Sequence, residues 1–422
     1  MNMSLRTDRS LLRALARSTR YLHVSLTAPV APARADRLPL HVGIVLDRSG
    51  SMDGERKFAL ATEAVAQSLR LLAPQDRFTL VVYDTRVDVL MPSSFATAAA
   101  KETAMQRLAE IGPHGGTDLY GGWMTAGAQM VEHLSDACVN RVLLLTDGLA
   151  NAGITDHAAL VTAAAELRRK GIATTTFGVG DDFDERLLRD IARESGGQSY
   201  FIETPAQIAD LLTSELGEAL EVVRRHVSVR VALPPGAEGE LLHRYRHVET
   251  RTGDRAIDIH VGDMTSGQEL TLAVRLTFPK DRDGATTTAH VSVTDAETPT
   301  PVLTGALAWT YADHAANDVQ PRNVIVDRAV AAVYAARARA EATEANRHGD
   351  LRAARTVLES TARRIHAYAN HDGELDALWR GLLADVEKYS REEMSSRERK
   401  EAFYAAEGAT RNRDSVGRSR PR

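Results

Sequence analysis

Oxygen-bearing side chains stand at three points of the chain, each at the end of a predicted apolar strand or in the loop before a predicted helix. Asp47 follows the first strand, with Ser49 and Ser51 just beyond it; Thr117 follows a glycine pair, and Asp147 follows a later apolar strand. Two carboxylates and three hydroxyls form an all-oxygen donor set. A hard divalent cation such as Mg²⁺ prefers such donors, with water molecules completing its octahedral shell. The sequence therefore predicts a metal site built from these five residues.

The three motifs are Asp-Arg-Ser-Gly-Ser at 47–51, Gly-Gly-Thr at 115–117 and Thr-Asp-Gly at 146–148. Together they resemble the von Willebrand factor A (VWA) domain with a complete metal-ion-dependent adhesion site. The resemblance implies that Asp47, Ser49, Ser51, Thr117 and Asp147 are the metal positions and that an Asp or Glu of a protein partner completes the shell. The small number of carboxylates favours Mg²⁺, with Ca²⁺ and Mn²⁺ as alternatives.

The wider sequence is similar to bacterial VWA proteins related to the inter-alpha-inhibitor heavy chains and to those labelled calcium-activated chloride channel-like. This likeness implies no channel. Resemblance to the cytoplasmic bacterial relatives implies that the protein acts as a scaffold or adaptor in a multi-protein system. The partner it implies is a MoxR-type AAA+ ATPase or a protein of a signalling or conflict system.

Apolar strands alternate with amphipathic helices over 39–221, which predicts a doubly wound, mostly parallel, Rossmann-like VWA sheet buried on both faces. The strands are expected at 41–47, 78–84, 86–91, 141–146, 172–179 and 198–202, and the helices at 55–72, 97–110, 118–135, 156–170, 184–195 and 205–221. The segment 78–91 is expected to form a hairpin with an antiparallel edge strand. Ligands bind beyond the carboxyl ends of such strands, where both Asp47 and Asp147 fall.

The sequence outside residues 39–221 predicts further domains and segments. An α/β + β + α architecture is expected, with a β-sandwich at 222–312 because apolar residues alternate there between turn residues. A helical bundle is expected at 319–408 because apolar residues recur at helical spacing. The remaining segments are 1–38, an N-terminal helix and a strand at 21–27, and 409–422, a disordered basic tail. The strand 21–27 is expected to join the β-sandwich; the alternative is a separate strand on the VWA domain.

Composition narrows the class of protein. Of 422 residues, 43% are hydrophobic and 26% charged, which is ordinary for a soluble globular chain, and a net charge of −5 favours neither nucleic acid nor an acidic membrane. A single cysteine, Cys138, allows no intrachain disulfide. The N-terminus lacks the apolar core of a signal peptide, and no apolar run is long enough to span a bilayer. We therefore expect a cytoplasmic protein.

An enzyme is a competing class. Haloacid-dehalogenase-like phosphatases also place an Asp after a first strand, but they need a second Asp two residues later, where this chain has Ser49. There is no Gly-rich phosphate loop with Lys, and Ser49 and Ser51 have no placed base. We therefore expect a non-enzymatic, metal-dependent protein-interaction module. The alternative is a structural protein in which the metal only stabilises loops.

Loops predicted to surround the metal supply candidates for partner selectivity. They are Met52, His114, Tyr120, Leu149, Asn151 and Phe183. For His114 the alternative is an ordinary surface-loop histidine.

Overall fold

A computed structural model of the chain describes residues 1–30, 37–298 and 300–413. The strands are β1 (Asn2–Thr7), β2 (Leu11–Arg13), β3 (Ser18–Thr27), β4 (Leu40–Asp47), β5 (Arg77–Tyr83), β6 (Val87–Phe95), β7 (Val139–Thr146), β8 (Ala173–Val179), β9 (Ser199–Ile202), β10 (Val222–Ala232), β11 (Glu238–Leu241), β12 (Arg246–Thr250), β13 (Ala256–Thr265), β14 (Glu269–Phe278), β15 (Thr286–Thr294) and β16 (Leu303–Ala312). The α-helices are α1 (Lys57–Leu71), α2 (Ala98–Ala109), α3 (Leu119–Val131), α4 (His157–Arg169), α5 (Glu185–Ser195), α6 (Ile208–Leu220), α7 (His314–Val319), α8 (Val324–Arg347), α9 (Leu351–Ala369), α10 (Gly373–Ser390) and α11 (Ser396–Thr410).

The chain divides into two compact units. Ala31–Val223 form the first, called here the α/β unit. Met1–Val30 together with Arg224–Arg422 form the second, called the mixed unit.

Six strands of the α/β unit form one sheet in the order β6-β5-β4-β7-β8-β9. The strands β5, β4, β7, β8 and β9 run parallel to their neighbours, and β6 is antiparallel to β5. Helices connect the parallel strands, so the predicted doubly wound sheet with one antiparallel edge is confirmed. Since β4 pairs directly with β7, with Leu46 opposite Leu145, the residues that follow these two strands emerge side by side.

The central strand β4 explains why the sheet is covered on both faces. All eight of its residues are buried. Ile44 and Leu46 pack in an apolar cluster that includes residues of α1 and α6. On the other face, a Cβ at Gly43 would lie 3.0 Å from the sulfur of Met130 in α3. Because successive side chains of a strand point to opposite faces, this strand needs apolar cover on both sides and is held rigidly between the two helical layers.

The mixed unit contains two sheets. One has four strands in the order β1-β3-β14-β11, and the other has six in the order β12-β13-β10-β15-β16-β2. Aromatic residues connect them: the ring of Phe278 in β14 lies 5.0 Å from that of Trp309 in β16. The Trp309 indole N–H also donates to the Thr7 hydroxyl at 3.0 Å. Apolar residues on alternate positions of both sheets are therefore buried between strands that are far apart in the chain.

The N-terminal segment differs from the expectation at one point. A helix was predicted near residues 1–20, and this is wrong, because residues 2–7 and 11–13 form β1 and β2. β1 pairs antiparallel with β3 from Asn2 opposite Thr27 to Thr7 opposite Leu22. The alternation of Met3 and Leu5 was the relevant pattern. The strand predicted at 21–27 lies within β3, which pairs with β14 over ten residues.

The helices of the mixed unit form their own apolar cluster and also pack on a sheet. Leu358, Ile365 and Leu382 are buried together from α9 and α10. Val326 and Val330 of α8 pack with residues of the sheet in a second cluster. Two separate domains were predicted over 222–312 and 319–408, but the structure joins these segments in one unit. One face of α8 is covered by the sheet, so the helices do not stand alone.

The predicted disordered tail at 409–422 is wrong for its first residues. The Tyr245 hydroxyl donates to the Arg411 carbonyl at 2.8 Å. The Thr271 hydroxyl donates to the Asn412 side chain at 2.7 Å. These contacts fix the end of α11 on the mixed unit, while residues 414–422 lie outside the described part of the chain. Among the described residues, no helix combines the length and apolarity needed to cross a membrane.

Candidate metal site

Asp47 ends β4 and is fully buried. Its Oδ1 accepts the backbone N–H of Ser49 at 2.7 Å, and its Oδ2 accepts the Thr146 hydroxyl at 2.6 Å. Burial raises the pKa of Asp47 to about 6, although both hydrogen bonds oppose the shift. The carboxylate is therefore held in one orientation by the ends of two adjacent strands, in surroundings where a nearby cation would stabilise its charge.

The hydroxyls and the second carboxylate form a connected chain of contacts. The Oγ atoms of Ser49 and Ser51 are 3.0 Å apart, and the Ser51 hydroxyl donates to Asp147 Oδ1 at 2.6 Å. A Cβ at Gly148 would lie 3.5 Å from Ser51 Oγ and 3.8 Å from Thr117 Oγ1. The structure thus brings all three predicted motifs to one end of the sheet. Ser49, Thr117 and Asp147 are buried there, and Ser51 is exposed.

The loop that carries Thr117 is held by its neighbours. Asn151 accepts the Thr117 backbone N–H at 2.8 Å with its side-chain oxygen, and its own N–H donates to the Thr117 carbonyl at 3.1 Å. Gly115 has a φ of +74°, and a Cβ there would lie 2.9 Å from Thr85 Oγ1. At Gly116 a Cβ would lie 2.8 Å from the Asn151 oxygen. Both glycines are therefore required for the loop to close against its neighbours.

Lys57 also belongs to the site, and sequence reasoning missed it. Its ammonium donates to Asp147 Oδ2 at 2.7 Å, and its side chain is 14% exposed. Lys57 is the first residue of α1, an unfavourable position for a cation because of the helix dipole, and this was the available signal. The two residues before it, Glu55 and Arg56, have φ angles of +54° and +58°. Such left-handed backbone costs about 1 kcal/mol or more per residue, and strain of this kind is common where a side chain is held for function.

A buried ion pair connects the first motif, residues 47–51, to the residue that follows β5. Arg48 Nε donates to Asp84 Oδ2 at 2.6 Å, and the two side chains are 7% and 2% exposed. Nδ1 of His114 lies 2.8 Å from the same Asp84 oxygen. Arg48 also pairs with Asp88 at the start of β6. These contacts join the loop after β4 to the loop after β5 and to the segment before Thr117.

The donor set fits a hard cation through its hydroxyls as well as its carboxylates. Among the described residues there is no group of three or more His, Cys, Asp or Glu side chains placed to hold a metal. A cation at this site would therefore need the oxygens of Ser49, Ser51 and Thr117 together with Asp47 and Asp147. Hydroxyl oxygens and carboxylates of this kind suit Mg²⁺, Ca²⁺ and Mn²⁺ and are poor ligands for softer metals.

The six candidates for partner selectivity divide into two groups. Leu149 is 56% exposed, and His114 and Asn151 are exposed as well, while Tyr120 is partly buried. The prediction that Met52 and Phe183 contact a partner is wrong, because these residues are only 0% and 2% exposed. Met52 packs in the apolar cluster between the sheet and α1. Phe183 lies over Gly178, where a Cβ would come within 2.3 Å of its ring. Both loop residues are drawn inward because their apolar surface finds cover.

Comparison with known proteins agrees with this geometry. Residues 41–214 match the family model of the von Willebrand factor type A domain. The chain therefore contains a VWA domain, and this match spans the sheet and helices α1 to α5 of the α/β unit and ends within α6. A solved structure, the von Willebrand factor type A protein from Catenulispora acidiphila, superposes with a TM-score of 0.74 over 96% of each chain at 17% identity. At that identity the likeness concerns the fold.

Two curated relatives show sequence similarity. Uncharacterized protein YfbK of Escherichia coli (strain K12) is 26% identical over 252 residues, which cover 58% of this chain and 43% of YfbK. Inter-alpha-trypsin inhibitor heavy chain H4 of Homo sapiens is 30% identical over 173 residues, which cover 40% of this chain and 18% of the human protein. The chain thus aligns with less than half the length of each of these relatives.

Proposed function

We propose that this protein binds a divalent cation through Asp47, Ser49, Ser51, Thr117 and Asp147 and, through that cation, an aspartate or glutamate of a protein partner. VWA domains are commonly protein-interaction modules. The cation would supply an electrophilic centre with exchangeable water positions, which a carboxylate can occupy. The protein would then act as a scaffold or adaptor in a multi-protein complex.

The charges around the site carry this proposal. Asp47 and Asp147 contribute two negative charges, and the Lys57 ammonium on Asp147 contributes one positive charge. The net charge of these three groups is −1. A bound divalent cation would change the net charge of the site to +1. A single carboxylate from a partner would restore neutrality in a largely buried site, where an uncompensated charge is costly. The arrangement therefore favours one acidic residue of a partner over a neutral or basic one.

The surroundings of the site suit a protein partner. Leu149 and Ile154, in the segment after β7, are 56% and 42% exposed. Ser51, one of the five proposed donors, is an exposed residue. Apolar residues beside a charged centre provide area for binding, while the metal contact provides specificity. A MoxR-type AAA+ ATPase or a signalling protein is the partner class that we propose, on the ground of family resemblance.

The proposal includes no catalytic role and a cytoplasmic location. Among the described residues, the hydroxyls of Ser49 and Ser51 contact each other and the carboxylates of Asp47 and Asp147, and neither forms a hydrogen bond with a histidine. Neither serine is therefore activated as a nucleophile in the manner of a Ser–His pair. The single Cys138 suits a reducing compartment.

A pull-down with the full chain tests the proposal. The tagged protein is incubated with lysate in Mg²⁺, in Mn²⁺, in Ca²⁺ or in EDTA, and bound proteins are identified. We expect a specific protein to be retained with at least one cation, lost in EDTA and lost with Thr117→Ala. Thr162→Ala, on the exposed face of α4, is the matched control and should retain it. A bound set that is the same in all conditions would refute the proposal.

The second candidate function is structural, and Lys57 favours it. Its ammonium already balances Asp147 without a metal, so the loops can be held together by the chain's own cation. In that case the sheets and helices of the mixed unit would make the main contacts with other proteins. Thr117→Ala would then leave partner binding unchanged, while Asp47→Ala would lower only the melting temperature.

A further inference from the structure

A second candidate binding site lies entirely within the mixed unit. It is a cavity of about 310 Å³ bounded by β3, α8, α9 and the segments around residues 9 and 322. Cavities of roughly this size and larger hold small organic ligands in proteins. Its lining combines cations with aromatic rings: Arg9, Arg322, Arg364, Tyr21, Tyr334 and Tyr368.

The arginines that line the cavity outnumber the carboxylates that pair with them. Arg322 forms a two-point ion pair with Asp327 at 2.6 and 2.7 Å. Arg9 Nε donates to Asp8 Oδ2 at 3.3 Å. Arg364 donates to the Thr361 hydroxyl at 3.1 Å and forms no ion pair with any described carboxylate. The cavity therefore carries surplus positive charge, and guanidinium N–H groups on Arg9 and Arg364 are left over for a ligand.

A buried neighbour strengthens this positive field. Arg20 is 5% exposed, and within the described part of the chain its guanidinium donates to carbonyl and amide oxygens, those of Leu11, Thr19 and Asn317. Burial, and next the charge of Arg9, lower the pKa of Arg20 to about 10. The charge of Asp8 acts in the opposite direction, but none of the described carboxylates forms an ion pair with Arg20, so this cation adds attraction for an anion in the cavity.

The tyrosines provide flat apolar walls and a hydroxyl. The rings of Tyr21 and Tyr334 meet edge to face at 6.2 Å, and their hydroxyls are 3.4 Å apart. The Arg322 guanidinium lies 4.7 Å above the ring of Tyr368. The Tyr368 hydroxyl has no hydrogen-bond partner among the described residues, and burial raises its pKa to about 12. It is therefore a neutral O–H group that can donate to a ligand.

We propose that this cavity binds a small organic anion, a carboxylate or a phosphate ester on a planar or apolar body. Arg364 and Arg9 would hold the anionic group, and the tyrosine rings would pack on the body with the apolar side chains of Val330 and Ile365. This site is separate from the proposed metal site in its residues and chemistry. Its occupancy is therefore independent of divalent cations.

Binding of two simple probes to the full chain tests this inference. Benzoate and phenyl phosphate represent the two anionic groups, and benzyl alcohol is the neutral analogue. Calorimetry on metal-free protein in a buffer without carboxylate chelators should give a Kd of about 1 mM for at least one anion, as expected for a fragment of this size. Binding of benzoate alone, of phenyl phosphate alone or of both identifies the carboxylate, the phosphate ester or either as the natural group. Equal binding of benzyl alcohol, or no binding of either anion, would overturn the inference.

Variants connect the binding to the cavity. Arg364→Met should weaken binding by about tenfold because it removes the surplus charge but keeps the stem. Arg363→Met is the matched control, since Arg363 is an exposed neighbour on the same helix outside the cavity lining, and it should bind the probe like the parent. Tyr368→Phe keeps the ring and should weaken binding a few-fold. Equal loss in Arg363→Met and Arg364→Met would show non-specific charge attraction and overturn the inference. Circular dichroism confirms that each variant is folded.

Discussion

The Lys57 ammonium lies 2.7 Å from Asp147 Oδ2, so the chain places one of its own cations on a carboxylate that the proposed metal site needs. Asp147 is buried, with 1% of its surface exposed. Its other oxygen accepts the Ser51 hydroxyl. An arriving divalent cation would meet a carboxylate that is already balanced, and it would have to compete with the ammonium for it.

Lys57→Met should therefore have two opposite effects. Without metal, the variant should be destabilised by about 2 kcal/mol, the usual contribution of a charge-assisted hydrogen bond. Its affinity for Mg²⁺ or Mn²⁺ should rise by about tenfold, because a like charge is removed from the site. Thermal unfolding in EDTA and calorimetric titration with each ion measure the two effects. Lys170→Met, at an exposed lysine after α4, should change neither. A metal affinity that stays the same would show that Lys57 does not compete.

Asn151 and Leu149 should separate metal binding from partner binding. Asn151→Ala removes the acceptor that holds the Thr117 N–H at 2.8 Å, so metal affinity should fall by roughly tenfold or more, as is typical for residues that orient ligands. Leu149→Ala removes only exposed apolar surface, so metal affinity should be unchanged and partner retention should decrease. Titration with the ion and the pull-down give the two readouts. Equal effects of both variants on the ion would contradict this division.

Arg48→Met should destabilise the α/β unit. The change leaves Asp84 buried at 2% exposure without its guanidinium partner, and breaking a buried ion pair in this way costs about 3 kcal/mol. Denaturant unfolding followed by tryptophan fluorescence measures the loss, since Trp123 is buried in this unit. Arg86→Met changes an exposed arginine two residues from Asp84 and should cost less than about 0.5 kcal/mol. A small effect at Arg48 would mean that His114 and the backbone suffice to hold Asp84.

Acid should weaken the α/β unit through His41. Burial, and next the charge of Arg77, lower the pKa of His41 to about 4, and its Nε2 lies 2.9 Å from Ser93 Oγ. An unfolded histidine titrates near 6.5. The unfolded state therefore binds the proton first as the pH falls, and stability is lost between about pH 6.5 and pH 4, by about 3 kcal/mol in total.

His41→Gln should reduce the slope of unfolding free energy against pH in this range, since glutamine does not titrate. The reduction should correspond to about one proton fewer taken up on unfolding. Melting temperature measured in steps over this pH range gives the slope. Asp47, whose raised pKa contributes a slope of opposite sign, is the same in both proteins and cancels in the comparison. An unchanged slope would show that His41 is protonated in the folded state.

The α/β unit was predictable because its pattern is strong and local. Strands of continuous apolar residues need cover on both faces, and the helices between them repeat their apolar residues at helical spacing. The order of motifs along the chain then places Asp47 and Asp147 at the carboxyl ends of β4 and β7, which proved to be neighbours. The end of the sheet that carries the site follows from these facts alone.

Burial of particular side chains was not predictable in the same way. Met52 and Phe183 stand in loops, and loops are usually exposed. Each lies inside because a neighbouring element leaves room for it, the apolar cluster beside α1 for Met52 and the bare backbone of Gly178 for Phe183. The N-terminal strands likewise depend on a distant partner, since β1 pairs with β3 and β3 with β14.

The sequence by itself therefore determined the class of the α/β unit, the position of the oxygen donors and the kind of ion they suit, since these depend on residue type and on spacing along the chain. Tertiary structure alone decided that Lys57 reaches Asp147, that Arg48 lies on Asp84 and that three arginines and three tyrosines meet in one cavity. Those contacts join residues that are 90, 36 and up to several hundred positions apart. Local propensity carries no information about such pairs, because their energy appears only when the chain has folded and their charges leave water together.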